Sequence, residues 1–126
     1  MLSLLRTLLL GCSLLAGSAL AATQAYDPAT FDTLLKEGTP TVVVIHADWC
    51  PICKAQGPLL EALAQSPEMK AVRFLVVDFD KHKNALKRVK ATMQSTLIVY
   101  KGGQEVGRST GDTHKDSIAA LLRQAL

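Results

Sequence analysis

Two cysteines three positions apart, Cys50 and Cys53, are the residues of this chain best suited to chemistry. Thiols at this spacing can close a disulfide or bind a metal together. They follow an apolar run, Thr41 to Ile45, and precede a helical pattern, which puts Cys50 at a helix start. A helix start lowers the pKa of a thiol, and the thiolate is the form that attacks disulfides. The sequence therefore favours a redox pair in which the more exposed Cys50 attacks and Cys53, one turn further in, resolves.

A static disulfide or a metal site is the alternative for the same pair. A closed zinc site takes four ligands, which two cysteines cannot supply. A binding module for copper, or for an iron-sulfur cluster in a dimer, would combine Cys50 and Cys53 with His46 or Ser95. We favour the redox interpretation, which requires no cofactor and no metal.

The N-terminal segment predicts where this chemistry takes place. Residues 1–21 contain one positive charge at Arg6, an apolar stretch from Thr7 to Leu15 and small residues up to Ala21. This is the anatomy of a cleaved secretory signal, and we expect a periplasmic or secreted protein. The alternatives are an anchor formed by the uncleaved signal or a lipid attached to Cys12.

The remainder of the chain, residues 22–126, is long enough for one small domain and too short for two. Removal of the signal leaves 13 Lys and Arg against 11 Asp and Glu, because Arg6 is the only charged residue lost. This balance argues against nucleic acid as a partner. We expect a monomer that acts on protein thiols and disulfides.

Apolar periodicity in residues 22–126 predicts the element order α-β-α-β-α-β-β-α. Helices are predicted to begin at Asp27-Pro28, after Cys50, at Lys83 and at a capping box over Thr113 to Asp116. Strands are predicted over Thr41–Ile45, Val72–Val77, Thr96–Tyr100 and Glu105–Arg108. Helices between the early strands imply parallel crossovers, and the turn Lys101 to Gln104 predicts an antiparallel hairpin.

The second predicted helix carries its apolar face at Leu59, Leu60, Leu63 and Ala62. Pro58 lies inside that helix and removes one of its backbone hydrogen bonds, so we expect a kink there.

The chain resembles the thioredoxin family over nearly all of residues 22–126. The matching residues are Ala47-Asp48-Trp49-Cys50, Cys53-Lys54, Pro58, Leu75-Val76-Val77-Asp78, Thr96 to Tyr100, Gly102-Gly103 and Gly111. The resemblance implies an α/β thioredoxin fold, with a central mixed β-sheet flanked by helices on both faces. It also implies thiol-disulfide oxidoreductase activity in a minimal, single-domain protein, with Trp49 shielding the site and contacting substrate. Core packing is the alternative role for Trp49.

Ser95 stands where the family carries a cis-proline, directly before Thr96 of the third long strand. A cis bond without proline costs about 2.5 to 4 kcal/mol, so we expect the Gln94–Ser95 bond to be trans. Ser95 either adds a hydroxyl near the sulfurs or is a tolerated replacement. If the loop limits substrate docking, Ser95→Pro is predicted to raise reductase activity.

Val44 and Val76 stand where the resemblance implies a buried aspartate and its lysine partner, the aspartate accepting the proton of the resolving thiol. His46 is the nearest candidate base, since it lies two residues beyond Val44 and on the same strand face. A packed histidine without a catalytic role is the alternative.

The dipeptide between the cysteines, Pro51-Ile52, tunes the reduction potential, which varies by about 150 mV across such proteins. Ile52 brings no charge or imidazole to stabilise a thiolate, which favours a reductant. A reductant outside the cytoplasm needs electrons, so we expect a membrane-embedded electron-transfer partner. A disulfide oxidase running the same steps backwards is the alternative.

Overall fold

The computed structural model of the chain describes residues 23–126. The predicted signal segment, its cleavage after Ala21 and the alternative lipidation at Cys12 lie outside the described residues. Within those residues, none of the helices is long and apolar enough to cross a membrane.

The described residues form a five-stranded mixed β-sheet with helices on both faces, which confirms the predicted fold class. Its strands are β1 (Thr23–Ala25), β2 (Thr41–His46), β3 (Arg73–Asp78), β4 (Thr96–Lys101) and β5 (Gln104–Thr110). The helices are α1 (Pro28–Glu37), α2 (Pro51–Ala64), α3 (Lys83–Val89) and α4 (Lys115–Arg123), with a short 3-10 turn at Pro67–Met69. The spatial order is β1-β3-β2-β4-β5, in which β1, β3 and β2 are parallel and β4 and β5 pair antiparallel.

Two apolar cores cover the two faces of the sheet. Because side chains alternate along a strand, Val42 and Phe74 enter one core while Val43 and Leu75 enter the other. The first core packs against α2 and α4, and the second against α1 and α3. Central strands buried on both faces read as continuous apolar runs, which is why β2 was predictable from its sequence.

Two predictions about element ends and helix faces were wrong. The capping box at Thr113 does not form: α4 begins after His114, whose side chain makes no cap. Asp112 instead accepts hydrogen bonds from the backbone N–H of His114 and the hydroxyl of Ser117. On α2, Ala62 is exposed and Ala64 takes the buried position, because the apolar stripe turns with the 3.6-residue period.

Strand β1 was not predicted from the sequence. It comprises three residues, Thr23 to Ala25, which carry no apolar alternation of their own. It forms because the edge of β3 is available for parallel pairing, with Gln24 opposite Leu75. The other predicted elements are present, with ends shifted by one or two residues, and α2 continues through Pro58.

Candidate active site

Cys50 caps the N-terminus of α2, just beyond the carboxyl end of β2. Its Sγ accepts a hydrogen bond of 3.2 Å from the backbone N–H of Cys53, in the place where a serine or aspartate side chain commonly caps a helix. Pro51 occupies the first helical position, where the absence of its N–H leaves no hydrogen bond unmade. Both cysteines are free thiols. The two sulfur groups are therefore adjacent and share one helix start.

Both cysteine side chains are covered, at 2% exposure for Cys50 and 3% for Cys53. The prediction that Cys50 is the more exposed of the two was therefore wrong. Ala47 and Phe79, which follow β2 and β3, pack against the pair. A substrate disulfide must displace part of this cover to reach a sulfur.

The pKa values of the two thiols are shifted in opposite directions. Burial raises the pKa of Cys50, but hydrogen bonds from the side chain and backbone of Cys53, and smaller ones from Ile52 and Gln94, bring it below its ordinary value. Burial raises the pKa of Cys53, and the hydrogen bond to Cys50 raises it further. Cys50 is thus the thiol that ionises first, which supports its predicted role as nucleophile.

Ser95 lies opposite the cysteines in a left-handed backbone conformation, with φ of 56°. All described peptide bonds are trans, including the Gln94–Ser95 bond, as predicted. The hydroxyl of Ser95 donates to the carbonyl of Gln94 at 2.6 Å. Because that hydrogen bond uses the only hydroxyl proton, the side chain does not offer it to the sulfurs. The role of a Ser95 hydroxyl near the sulfurs stays a prediction, and in this arrangement the hydroxyl donates to its own chain.

Three hydrogen bonds to the backbone of Ser95, two from backbone groups and one from a side chain, hold this unusual conformation. The N–H of Ser95 donates to Ile45 O at 2.8 Å, and its carbonyl accepts from Gly111 N at 3.0 Å. The side-chain amide of Gln56 donates to the same carbonyl at 3.2 Å. A left-handed non-glycine residue costs about 1 to 2 kcal/mol, so these contacts must offset that amount.

Thr96 begins β4 and is buried. Its hydroxyl lies 2.8 Å from the carbonyl of Met93 and 2.9 Å from the hydroxyl of Thr110. These partners fasten the start of β4 to β5 and to the preceding loop. Thr96 therefore supports the site by fixing the backbone directly after Ser95.

Three exposed apolar side chains lie near the thiols in the chain, two of them directly beside a cysteine and the third two residues before Ser95. Trp49 is 57% exposed, and Ile52 and Met93 are also largely exposed. The Trp49 indole donates to Asp80 at 2.8 Å and meets the Phe79 ring edge-on at a centroid distance of 6.5 Å. Core packing is therefore the wrong role for Trp49. These three side chains form an apolar rim on which a substrate can dock.

A cavity of about 280 Å³ lies on the inner side of Cys53. Val44 and Val76 face each other across β2 and β3 in register and both line it. The positions where the family resemblance implies an aspartate and a lysine are thus adjacent and apolar here. Cys53 and His46 line the same cavity.

His46 lies on the same face of β2 as Val44, as predicted. Its Nε2 is 3.0 Å from a carboxylate oxygen of Asp48, a fully exposed residue two positions along the chain. Asp48 orients the ring at the mouth of the cavity. The catalytic role of His46 stays a prediction, because His46 and Cys53 line the same cavity and no hydrogen bond joins them.

Sequence reasoning missed Gln56. Its side chain is 1% exposed, and its amide nitrogen donates to the carbonyls of Ser95 and Asp112. The sequence does contain a signal for a buried polar residue. Gln56 lies on the same helical stripe as Cys53, Leu60 and Leu63 and is the one amide side chain among them.

Within residues 23–126, no three side chains of His, Cys, Asp or Glu come together as a possible metal site. Cys50 and Cys53 are therefore not joined by His46 as a third ligand in this arrangement.

Comparison with known proteins agrees with this geometry. The Thioredoxin family model matches residues 22–124. Thioredoxin from Chlamydia trachomatis is 41% identical over 81 residues, covering 64% of this chain and 78% of that protein. Thioredoxin-2 of Saccharomyces cerevisiae is 33% identical over 105 residues, covering 82% and 94% of the two chains.

Among solved structures, Trxlp from Edwardsiella tarda EIB202 superposes with a TM-score of 0.78 at 39% sequence identity. The superposition covers 79% of this chain and 97% of that one. The two thiols at the start of α2, the mixed sheet behind them and the family match point to one conclusion. The chain belongs to the thioredoxin family and is a thiol-disulfide oxidoreductase.

Proposed function

We propose that this protein is exported and reduces disulfides of other proteins, with Cys50 as the nucleophile and Cys53 as the resolving thiol. The observation that carries the proposal is the position of Cys50 Sγ at the N-terminus of α2, 3.2 Å from the backbone nitrogen of Cys53, in a chain segment that also exposes Trp49 and Ile52. A thiolate at this position receives a hydrogen bond from the helix backbone and can contact a docked chain.

The reaction proceeds by two exchanges. The Cys50 thiolate attacks one sulfur of the substrate disulfide, the S–S bond breaks, and the other substrate sulfur leaves as a thiolate. The Cys53 thiol then loses its proton and attacks Cys50 Sγ, which releases the first substrate sulfur and closes the Cys50–Cys53 disulfide. The substrate gains two electrons, and the protein pair loses them.

Regeneration of the dithiol requires two electrons from a donor. Export would remove the protein from cytoplasmic reductants, so a membrane-embedded electron-transfer partner is proposed to supply them. The support for export is the composition of residues 1–21, with its single charge and apolar stretch. We further propose that the mature protein acts as a monomer.

The opposite direction, disulfide oxidation, is the second candidate, and one observation favours it. The lowered pKa of Cys50 stabilises its thiolate and hence the reduced form of the pair. The absence of charge or imidazole at Ile52 favours the reductant. The reduction potential of the Cys50–Cys53 pair decides between the reductant and the oxidase.

The roles of the cysteines can be tested with residues 22–126, which contain no other cysteine. Wild-type protein should reduce insulin with dithiothreitol as electron source, and Cys50→Ser should be inactive. Cys53→Ser should accumulate a mixed disulfide between Cys50 and the substrate, detectable by mass spectrometry. An inactive wild-type protein, or an adduct formed by Cys50→Ser and not by Cys53→Ser, would overturn the assignment.

Export can be tested separately by expressing the full chain in a bacterium and sequencing the N-terminus of the protein recovered from each cell fraction. We expect a periplasmic product that begins at residue 22. A cytoplasmic product that retains Met1 would contradict export and leave the exchange chemistry in place.

A further inference from the structure

Gln56 forms a bridge between the helix that carries the cysteines and the two loops that face them. Its side-chain nitrogen donates to Ser95 O at 3.2 Å and to Asp112 O at 2.8 Å. Ser95 precedes β4 and Asp112 follows β5. One amide therefore joins α2 to two loops that lie 39 and 56 residues further along the chain.

The burial of this amide requires an explanation. A polar group removed from water is unfavourable unless it is hydrogen-bonded, and Gln56 is 1% exposed. Its neighbours on the inner stripe of α2, Leu60 and Leu63, are apolar and fill the same interior. An apolar side chain at position 56 would also be buried, but it would leave the carbonyl of Asp112 without this donor.

The Gln56 bridge helps to hold Ser95 in a backbone conformation that residues other than glycine disfavour. Ser95 is left-handed, with φ of 56°, and its carbonyl receives hydrogen bonds from both Gln56 and Gly111. Gln56 lies three residues after Cys53, on the same helix face. Movement of the 94–95 loop away from the cysteines therefore breaks the hydrogen bond to α2.

We propose that Gln56 is a positioning residue that holds the 94–95 loop beside the dithiol and thereby selects polypeptide disulfides over small ones. The loop continues from the exposed side chain of Met93, which lies on the apolar rim with Trp49 and Ile52. A polypeptide that reaches Cys50 extends across this rim and contacts the loop. A small aromatic disulfide needs only access to the sulfur.

This inference rests on the exchange chemistry of the proposed function, and it is independent of the direction of electron flow and of export. Gln56→Met keeps the length of the side chain and removes both hydrogen bonds. Gln65→Met makes the same change at an exposed position at the end of α2 and serves as the matched control. Reduction of insulin and of 5,5′-dithiobis(2-nitrobenzoate) is measured for both variants.

We expect Gln56→Met to reduce insulin about tenfold more slowly than wild type, because two hydrogen bonds that order the loop are lost. Its rate on the small disulfide should stay within about twofold of the wild-type rate. Gln65→Met should match wild type on both substrates. Equal loss on the two substrates, or no loss on insulin, would overturn the positioning role. A wild-type protein inactive on both would instead refute the proposed function.

A second measurement applies if Gln56→Met does not fold. In wild-type protein, NMR should show the side-chain amide protons of Gln56 protected from exchange with water, and those of Gln65 exchanging rapidly. A cysteine-containing peptide held on Cys50 as a mixed disulfide, in the Cys53→Ser variant that cannot release it, should shift the Gln56 amide signals. Exchange as fast as that of Gln65, or signals unchanged by the peptide, would refute the proposal.

Discussion

Substitutions at Ser95 test the left-handed loop, because proline and glycine should have opposite effects there. Proline fixes φ near −65°, whereas Ser95 has a φ of 56°. Proline also removes the N–H that donates to Ile45 O at 2.8 Å. The prediction from the sequence that Ser95→Pro raises reductase activity requires a backbone conformation that proline can adopt at this position. The structure does not meet that requirement.

The size of the effect can be worked out from these contacts. The carbonyl of Ile45, a buried strand residue, loses its backbone donor and retains only the weak Cys53 thiol at 4.0 Å, which costs about 1 to 3 kcal/mol. Rebuilding a backbone conformation that proline cannot adopt adds to this loss. We expect Ser95→Pro to lower the free energy of unfolding by about 2 to 4 kcal/mol. Insulin reduction should fall as well, since the loop must leave its position beside the cysteines.

Ser95→Gly and Ser95→Ala separate the contributions. Alanine removes only the hydroxyl. Glycine also relieves the left-handed strain of about 1 to 2 kcal/mol, but part of this gain is offset because glycine raises the conformational entropy of the unfolded chain. Ser95→Gly should therefore be about 0.5 to 1 kcal/mol more stable than Ser95→Ala. Urea unfolding of the reduced proteins, with unchanged m-values, measures both differences. A proline variant as stable as the alanine variant would refute the reasoning.

Four further predictions concern the thiols, the cavity, the sheet turn and helix α2. At pH 7, iodoacetamide should modify Cys50 well before Cys53. Burial and the hydrogen bond to Cys50 raise the pKa of Cys53, whereas the pKa of Cys50 is lowered. Mass mapping that finds Cys53 modified first would contradict this prediction. If His46 is the base for Cys53, His46→Asn should slow decay of the Cys50 mixed disulfide about a hundredfold and leave its formation unchanged, so unchanged decay excludes that role. Gly103→Ala should destabilise the protein by about 2 kcal/mol, because φ is 80° and a Cβ would lie 2.7 Å from Leu35 O. Gly57→Ala, with open space inside α2, should instead be neutral or stabilising by up to about 1 kcal/mol in urea unfolding.

The sequence predicted those parts of the molecule that depend on local patterns. The apolar run of β2 and the cap and proline at the start of α1 are signals carried by neighbouring residues, and both are confirmed. Strand β1 carries no such signal, because three residues become a strand only through pairing with β3. The spacing of Cys50 and Cys53 likewise predicted the redox pair.

The surroundings of the pair depended on contacts between distant residues. The left-handed Ser95 is held by residues of β2, α2 and the turn after β5, which no local pattern connects. Gln56 was open to prediction as a polar residue in an apolar stripe, but its partners became visible only in the fold. The equal burial of the two cysteines follows from packing against Ala47 and Phe79.

The reduction potential of the Cys50–Cys53 pair tests the central claim most directly. A protein of residues 22–126 is equilibrated in glutathione and dithiothreitol buffers, and the fraction of reduced pair is read after acid quenching and alkylation. A reductant of protein disulfides should have a potential near that of thioredoxin, about −270 mV. A value near about −120 mV, typical of a strong disulfide oxidant, would contradict the proposed direction of electron flow.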